Sequence, residues 1–169
     1  DAGAGEIVID PTEEELNIYQ EKKVQYEESV RQIETLREKE PVTKDGKRIR
    51  LCVNAGNQED VKNALPMKID GVGLFRSELV YMEKDHFPTE EEQFEIYKEA
   101  VKLSPEELTI RTLDIGGDKG LPYFKFEEED NPFLGWRAIR ICLEKRDMFK
   151  AQIRAILRAS AFGNVRIMF

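Results

Sequence analysis

One histidine, one tryptophan and two cysteines are all that 169 residues offer of the side chains that most often build metal and redox centres. The single histidine, His86, cannot make a multi-histidine metal site, and no nucleophile stands beside it to suggest a triad. It lies in the polar loop 84–88 with nothing nearby to tune its pKa, and reads as a structural residue. Cys52 and Cys142 sit far apart in apolar settings without CxxC spacing. They read as buried thiols of a reducing cytosol, not as a disulfide framework. No apolar run approaches the roughly 18 residues of a membrane span, and no signal-peptide pattern is present, so a cytoplasmic placement is expected. An excess of cations is missing too. The 26 Lys and Arg face 34 Asp and Glu, a net charge of −8 that argues against general nucleic-acid binding. A complete (β/α)8 barrel takes about 250 residues, so a whole one does not fit. The chain starts at Asp1 instead of Met, as an excerpt would.

What is present is 40% apolar and 36% charged, enough for a packed core under a well-solvated surface. Segment 6–10 (EIVID) predicts a short strand. Asp10 is then placed to cap a helix, with Pro11 in its first turn and Glu13 completing a capping-box-like arrangement. From residue 12 to about 40 there is no Gly or Pro, and Leu16, Tyr19, Tyr26, Val30 and Ile33 fall on one stripe, interrupted by Lys23. Such a long helix suits a connector between domains, and Pro41 ends it. After a turn at 44–47, strands alternate with helices. Strands are predicted at 48–54, 71–79, 108–115 and 165–169, and helices at 58–65, 88–103 and 147–161, the last stopped by Gly163. This alternation implies an α/β fold with parallel pairing through crossover helices. Four βα units without closure leave a sheet edge exposed. The pattern looks like half of something larger.

Chemistry concentrates where strands end. Arg76 lies near the end of the second strand and Arg111 inside the third, each among apolar neighbours. In a parallel sheet, polar groups near the C-terminal strand ends face the ligand crevice. Two guanidiniums on neighbouring strands could grip one phosphate or carboxylate. Set against this is the plain structural reading, in which each arginine is a salt-bridge partner of, for instance, Glu78 or Asp114, and for isolated strand arginines that reading is the commoner. The third strand runs into 114–120 (DIGGDKG), where paired glycines could curl backbone N–H groups around an anion and Lys119 adds a point charge. An ordinary Gly-rich turn is the alternative. The spacing is no Walker A loop, and Gly71-x-Gly73 reads as a turn instead of a dinucleotide fingerprint. In 131–137 (NPFLGWR) the tryptophan stands beside Gly135, and Arg137 is either a third cation for the crevice or part of a loop anchored by Phe133 and Trp136. A helix-like run, 138–143, follows. Glu90–Glu92 read as a helix first turn, 127–130 as a solvated acidic loop, and Lys150, Arg154 and Arg158 as an exposed helix face.

Four stretches in this order, 73–78 (GLFRSE), 87–93 (FPTEEEQ), 110–119 (IRTLDIGGDK) and 129–140 (EDNPFLGWRAIR), closely resemble Enzyme I, the phosphoenolpyruvate–protein phosphotransferase family of the bacterial sugar phosphotransferase system. The likeness covers essentially the whole chain. It implies that 1–11 close a phosphohistidine domain, that 12–41 form a linker helix, and that 42–169 are the N-terminal half of a phosphoenolpyruvate-binding TIM-type barrel. Arg76 and Arg111 match the arginines that grip the substrate phosphate, Arg137 matches a further active-site arginine, and Lys119 lies where a lysine lines the same site. The phosphoacceptor histidine, the proton-donor cysteine and the carboxylates that hold Mg2+ have no counterpart here. Neither His86, Cys52 nor Cys142 corresponds to them. The parent would pass phosphoryl from phosphoenolpyruvate to its own histidine and then to the carrier HPr, working as a homodimer, and the chain alone is expected to show no turnover. Two other readings stay open on the sequence. One is a relative of the pyruvate phosphate dikinase or phosphoenolpyruvate synthase type, and the other is a non-catalytic dimerisation or interaction module.

Overall fold

The structure, a computed structural model, describes every residue except 1, 2, 38, 118, 127 and 128. It divides into two compact units, 1–40 and 41–169. No helix among the described residues is long and apolar enough to cross a membrane.

In the first unit, helix α1 spans Glu13–Glu34. Its cap is Thr12, not Asp10. The Thr12 hydroxyl accepts from the Glu15 amide while the Glu15 carboxylate accepts from the Thr12 amide at 2.8 Å, a complete capping box with three glutamates in the first turn. Asp10 instead takes a left-handed φ of 51°. The helix stops at Glu34, seven residues before Pro41, and the Thr35 hydroxyl turns back to donate to the Gln32 carbonyl at 2.7 Å. The strand expected at 6–10 does not form. An extended segment needs a ladder, no partner strand lies beside it among the described residues, and Ile7 and Ile9 stay exposed. None of α1's residues is buried.

The second unit opens on a hairpin-like turn in which Val42 and Arg48 pair around Gly46. A four-stranded parallel sheet follows, ordered β1 (Cys52–Ala55), β2 (Gly71–Arg76), β3 (Leu108–Arg111) and β4 (Val165–Met168). β2 and β3 are shorter than the sequence predicts because their ladders end where the C-terminal turns begin, whereas β1 lacks the first part of its expected span, 48–51. Between them run α2 (Gln58–Ala64), α3 (Glu78–Met82), α4 (Glu90–Leu103), α5 (Ile139–Glu144) and α6 (Arg146–Ala159). The predicted last helix closes with a 3-10 turn at Ser160–Phe162, and Gly163 is extended there, not left-handed.

Helix α4 lies against α2 on one side and α6 on the other. Their apolar faces (Val61; Tyr97, Ala100 and Val101; Ala155, Ile156 and Ala159) bury Phe75, Leu108 and Ile110 of the central strands. The Phe75 and Tyr97 rings meet edge to face at 6.0 Å. Gly71 and Gly73 belong to β2 itself, correcting their reading as a turn. A Cβ on Gly71 would stand 2.6 Å from the Glu107 carbonyl oxygen, so the glycine permits close strand approach. Cys142 is buried as expected, but Cys52 is exposed because β1 is an edge strand. Arg158 is not a free solvated charge either: it bridges α6 to α4 through Glu90 and Glu91 and lies 3.9 Å from the Phe94 ring centre.

Candidate functional site

Side chains paired in register on parallel neighbours share a face of the sheet. Arg76 pairs with Arg111, and Arg111 with Met168, so the two arginines end adjacent strands on the same face, opposite Phe75 and Ile110. Strand spacing puts their backbones about 4.8 Å apart. Among the described residues Arg76 meets no hydrogen-bond or ion-pair partner, and it is exposed.

Arg111 is different. Its Nη2 donates to Glu78 Oε1 at 2.5 Å and lies 3.1 Å from Asp114 Oδ2. For this residue the plain salt-bridge reading therefore holds in detail, with both partners that the sequence suggests. Lys119 reaches the same two carboxylates, at 2.9 Å and 3.1 Å, and Arg137 Nε donates to Asp114 Oδ1 at 3.1 Å. Three of the four cations nominated from the sequence thus converge on one pair of carboxylates, and the fourth is their register neighbour. Glu78 forms the floor: its side chain is 3% exposed, Arg111 and Lys119 both use its Oε1, and Oε2 has no partner among the described residues. Asp114 is 14% exposed. Burial acts to raise its pKa, but hydrogen bonds from Arg137 and Lys119 outweigh that and hold the carboxyl below its ordinary value.

Local chemistry explains why these side chains arrive together. At the end of β2 the chain turns at Ser77 directly into α3, which places Glu78 beneath the strand ends. After β3, Gly116 (φ 112°) and Gly117 (φ 67°) make a reverse turn closed by the Gly116 amide donating to the Lys119 carbonyl at 2.9 Å. That amide is spent inside the turn, and the loop brings Lys119 to the carboxylates; Asp118 lies outside the described residues. A Cβ on Gly117 would sit 3.2 Å from Arg137 Nη1, so the glycine pair lets the next loop close down. That loop is pinned by aromatic contacts of Trp136 with Phe124 and Phe126, by the Trp136 amide on the Glu129 carboxylate, and by the Ala138 amide on the Ile115 carbonyl. Of the predicted solvated acidic loop, Glu127 and Glu128 lie outside the described residues, while Glu129 has this structural task.

A buried polar network under the site escaped sequence reading. Gln152 of α6 accepts from the Leu113 amide at 2.9 Å and donates to the Ser77 hydroxyl at 3.0 Å and to Tyr97 at 3.3 Å. Ser77 in turn donates to the Arg111 carbonyl at 2.6 Å. Gln93 joins Tyr81 and Tyr97 to the Pro88 carbonyl. Ser77, Gln93 and Gln152 are all fully buried. The available signal was an amide set within the apolar stripe of each helix.

Residues 30–169 match the family described as PEP-utilising enzyme, PEP-binding domain. The chain belongs to that family. It is 49% identical over 169 residues to a phosphoenolpyruvate-protein phosphotransferase of Mycoplasma capricolum, covering all of this chain and 30% of that protein. Proteins of the same name from Staphylococcus epidermidis (45% over 170 residues, all of this chain and 30% of the relative) and Staphylococcus aureus (46% over 166 residues, 98% and 29%) are similarly close. The chain therefore spans about 30% of the length of these curated relatives. Among the described residues of this PEP-binding domain segment, four cations and two carboxylates gather at one end of the sheet.

Proposed function

We propose that this chain is the phosphate-facing part of an enzyme that transfers the phosphoryl group of phosphoenolpyruvate to its own histidine and then to HPr, in the cytoplasmic phosphotransferase system for sugar uptake. Arg76, Arg111, Arg137 and Lys119 bind the substrate's phosphoryl oxygens. The observation that carries this reading is the register pairing of Arg76 with Arg111 at the C-terminal ends of adjacent parallel strands, beside Lys119 and Arg137. Phosphoryl transfer asks a protein chiefly for positioning and charge neutralisation, and a cationic cluster on rigid strand ends offers both. Residues 42–169 are on this reading the first half of a (β/α)8 barrel, 12–41 the linker helix and 1–11 the end of the phosphohistidine domain, with pairing of the parent into a homodimer.

The family's metal is Mg2+, which when bound takes part of the phosphate charge. The residues here do not fit it: among the described residues no three metal-binding side chains converge, and the accessible carboxylate, Asp114, is engaged by three cations. Its ligands are placed outside this segment. Titration with phosphoenolpyruvate, followed by calorimetry with light scattering in parallel, tests the reading. The Arg76→Ala/Arg111→Ala double variant is expected to lose at least about a hundredfold in affinity, since each charged hydrogen-bonded contact contributes roughly 1.5–3 kcal/mol. Unchanged affinity in that variant, or ligand-independent dimerisation as the sole activity, overturns it. The chain alone is expected to give no phosphoenolpyruvate turnover.

A further inference from the structure

We propose that Asp114 is an exchangeable internal counter-ion, occupying the place that a phosphoryl group takes when it binds. The inference deepens the reading above and rests on it. Asp114 meets three cations at once: its Oδ2 faces Arg111 Nη2 and Lys119 Nζ, and its Oδ1 faces Arg137 Nε, each at 3.1 Å. Donors converging from three directions on one small anion are what a tetrahedral oxyanion needs. Among the described residues Glu78 reaches only Arg111 and Lys119, both through one oxygen.

The two carboxylates also differ in depth. Glu78 lies in the floor at 3% exposure, whereas Asp114 is at 14%, nearer to the 16–28% of the cations it holds. Glu78 is therefore the permanent partner and Asp114 the replaceable one. Among the described residues four cations, Arg76 included, face two carboxylates, and a doubly charged anion is held by such donors more strongly than a singly charged one. An incoming ligand must outcompete a carboxylate for three donors, so Asp114 sets a charge threshold: phosphate dianions pass it and monoanions fall short. Arg76, with no partner among the described residues, is the cation that meets the ligand first.

The test titrates inorganic phosphate into the 169-residue chain and its Asp114→Asn variant at constant ionic strength, reading affinity by calorimetry and Tm by thermal denaturation, with chloride as monoanion. The variant is expected to bind phosphate about tenfold more tightly, or about 1.4 kcal/mol, and chloride, inert toward the parent, is expected to compete in the variant. A folded variant that binds phosphate equally or more weakly overturns the proposal. A variant that folds only with phosphate present supports it, because the anion then supplies what Asp114 supplied. Should it fold in neither condition, Asp114→Glu decides, since its longer carboxylate intrudes on the pocket. That variant is expected to lose at least about fivefold in phosphate affinity, and an equal affinity overturns the proposal. Phosphate binding that ignores the Arg76→Ala/Arg111→Ala change removes the phosphate-site reading and this inference together, whereas arginine-dependent binding with an unimproved Asp114→Asn removes the inference alone.

Discussion

Gln152 has no ionic contact with the cluster, yet its amide ties the chain just after β3 to the β2–α3 corner, and Ser77 completes the link to the Arg111 carbonyl. Replacing it by methionine keeps the volume but strands the Leu113 amide in a dry interior and removes the bonds that the Ser77 and Tyr97 hydroxyls accept, leaving those they donate to the Arg111 carbonyl and Gln93. Each buried group left unmet costs roughly 1–3 kcal/mol, so Gln152→Met is expected to lose about 2–4 kcal/mol in urea denaturation; a loss within about 0.5 kcal/mol refutes the network's importance. Ala138 presents the opposite case. It holds φ 50°, ψ −122° directly after Arg137, a conformation glycine adopts freely. Ala138→Gly is expected to raise stability by about 1 kcal/mol, relief of strain less the entropy glycine adds to the unfolded chain. Arg76 and Arg111 stand out in the sequence as arginines among apolar strand residues, whereas Lys119 and Arg137 lie in glycine-containing loops and could be nominated only by their neighbours. Glu78 and Asp114 were legible only as candidate partners. Which of the two is buried depends on the turn into α3, and no spacing rule carries that. Gln152 was not legible, since one amide in an apolar stripe looks like Lys23 in α1, a mere interruption.

The start of α4 shows how an element couples to pH. Thr89 caps the helix, its hydroxyl accepting from the Glu92 amide, while the Glu92 carboxylate accepts from the Thr89 amide and from Lys84 Nζ at 2.8 Å. His86 lies with one ring nitrogen 2.7 Å from Asp85 and the other 3.3 Å from Glu92. The expectation that nothing tunes this histidine is therefore corrected. The Asp85 hydrogen bond first, then that of Glu92, raises its pKa above 6.5. Glu92 is drawn down from 4.5 to about 2, chiefly by Lys84 and the Thr89 amide. The histidine's contribution is complete below 6.5 and fades as pH rises through its raised value, while that of Glu92 is complete above 4.5 and fades as pH falls toward about 2. The α4 cap is thus firmest between these limits. An NMR titration of His86 is expected to show a midpoint above 6.5 that returns toward it in Glu92→Gln; a midpoint at or below 6.5 in the parent contradicts the geometry. At the same scale, the strands and helices of 41–169 were readable because each repeats its period against a partner in the same chain. Segment 6–10 has equal β propensity but no such partner here, and propensity without a ladder leaves it irregular.

Across the whole molecule, the two units rest on different physics. Unit 41–169 holds a continuous core in which Phe75, Tyr97, Leu108, Ile110, Ile141 and Ile156 are essentially inaccessible to solvent, so opening its central strands means disrupting that core. Helix α1 buries none of its 22 residues and depends on its capping box, its first-turn glutamates and the exposed Lys23–Glu27 pair. Such local terms contribute a few tenths to about 1 kcal/mol each, whereas most helical stability in proteins comes from packing of an apolar face, which α1 lacks within its own unit. The stripe of Leu16, Tyr19, Tyr26, Val30 and Ile33 is real in its spacing but not in its burial: Leu16, Tyr26 and Ile33 are more than half exposed. Native-state hydrogen exchange is therefore expected to separate the units. Amides of 17–34 should exchange within about tenfold to a hundredfold of the unstructured rate, matching an opening free energy of about 1–3 kcal/mol. Those of β2 and β3 should exchange only through global unfolding and slow together as denaturant is withdrawn. Equal protection of α1 and the central strands would show that the helix is held by packing of a strength its exposed surface does not provide.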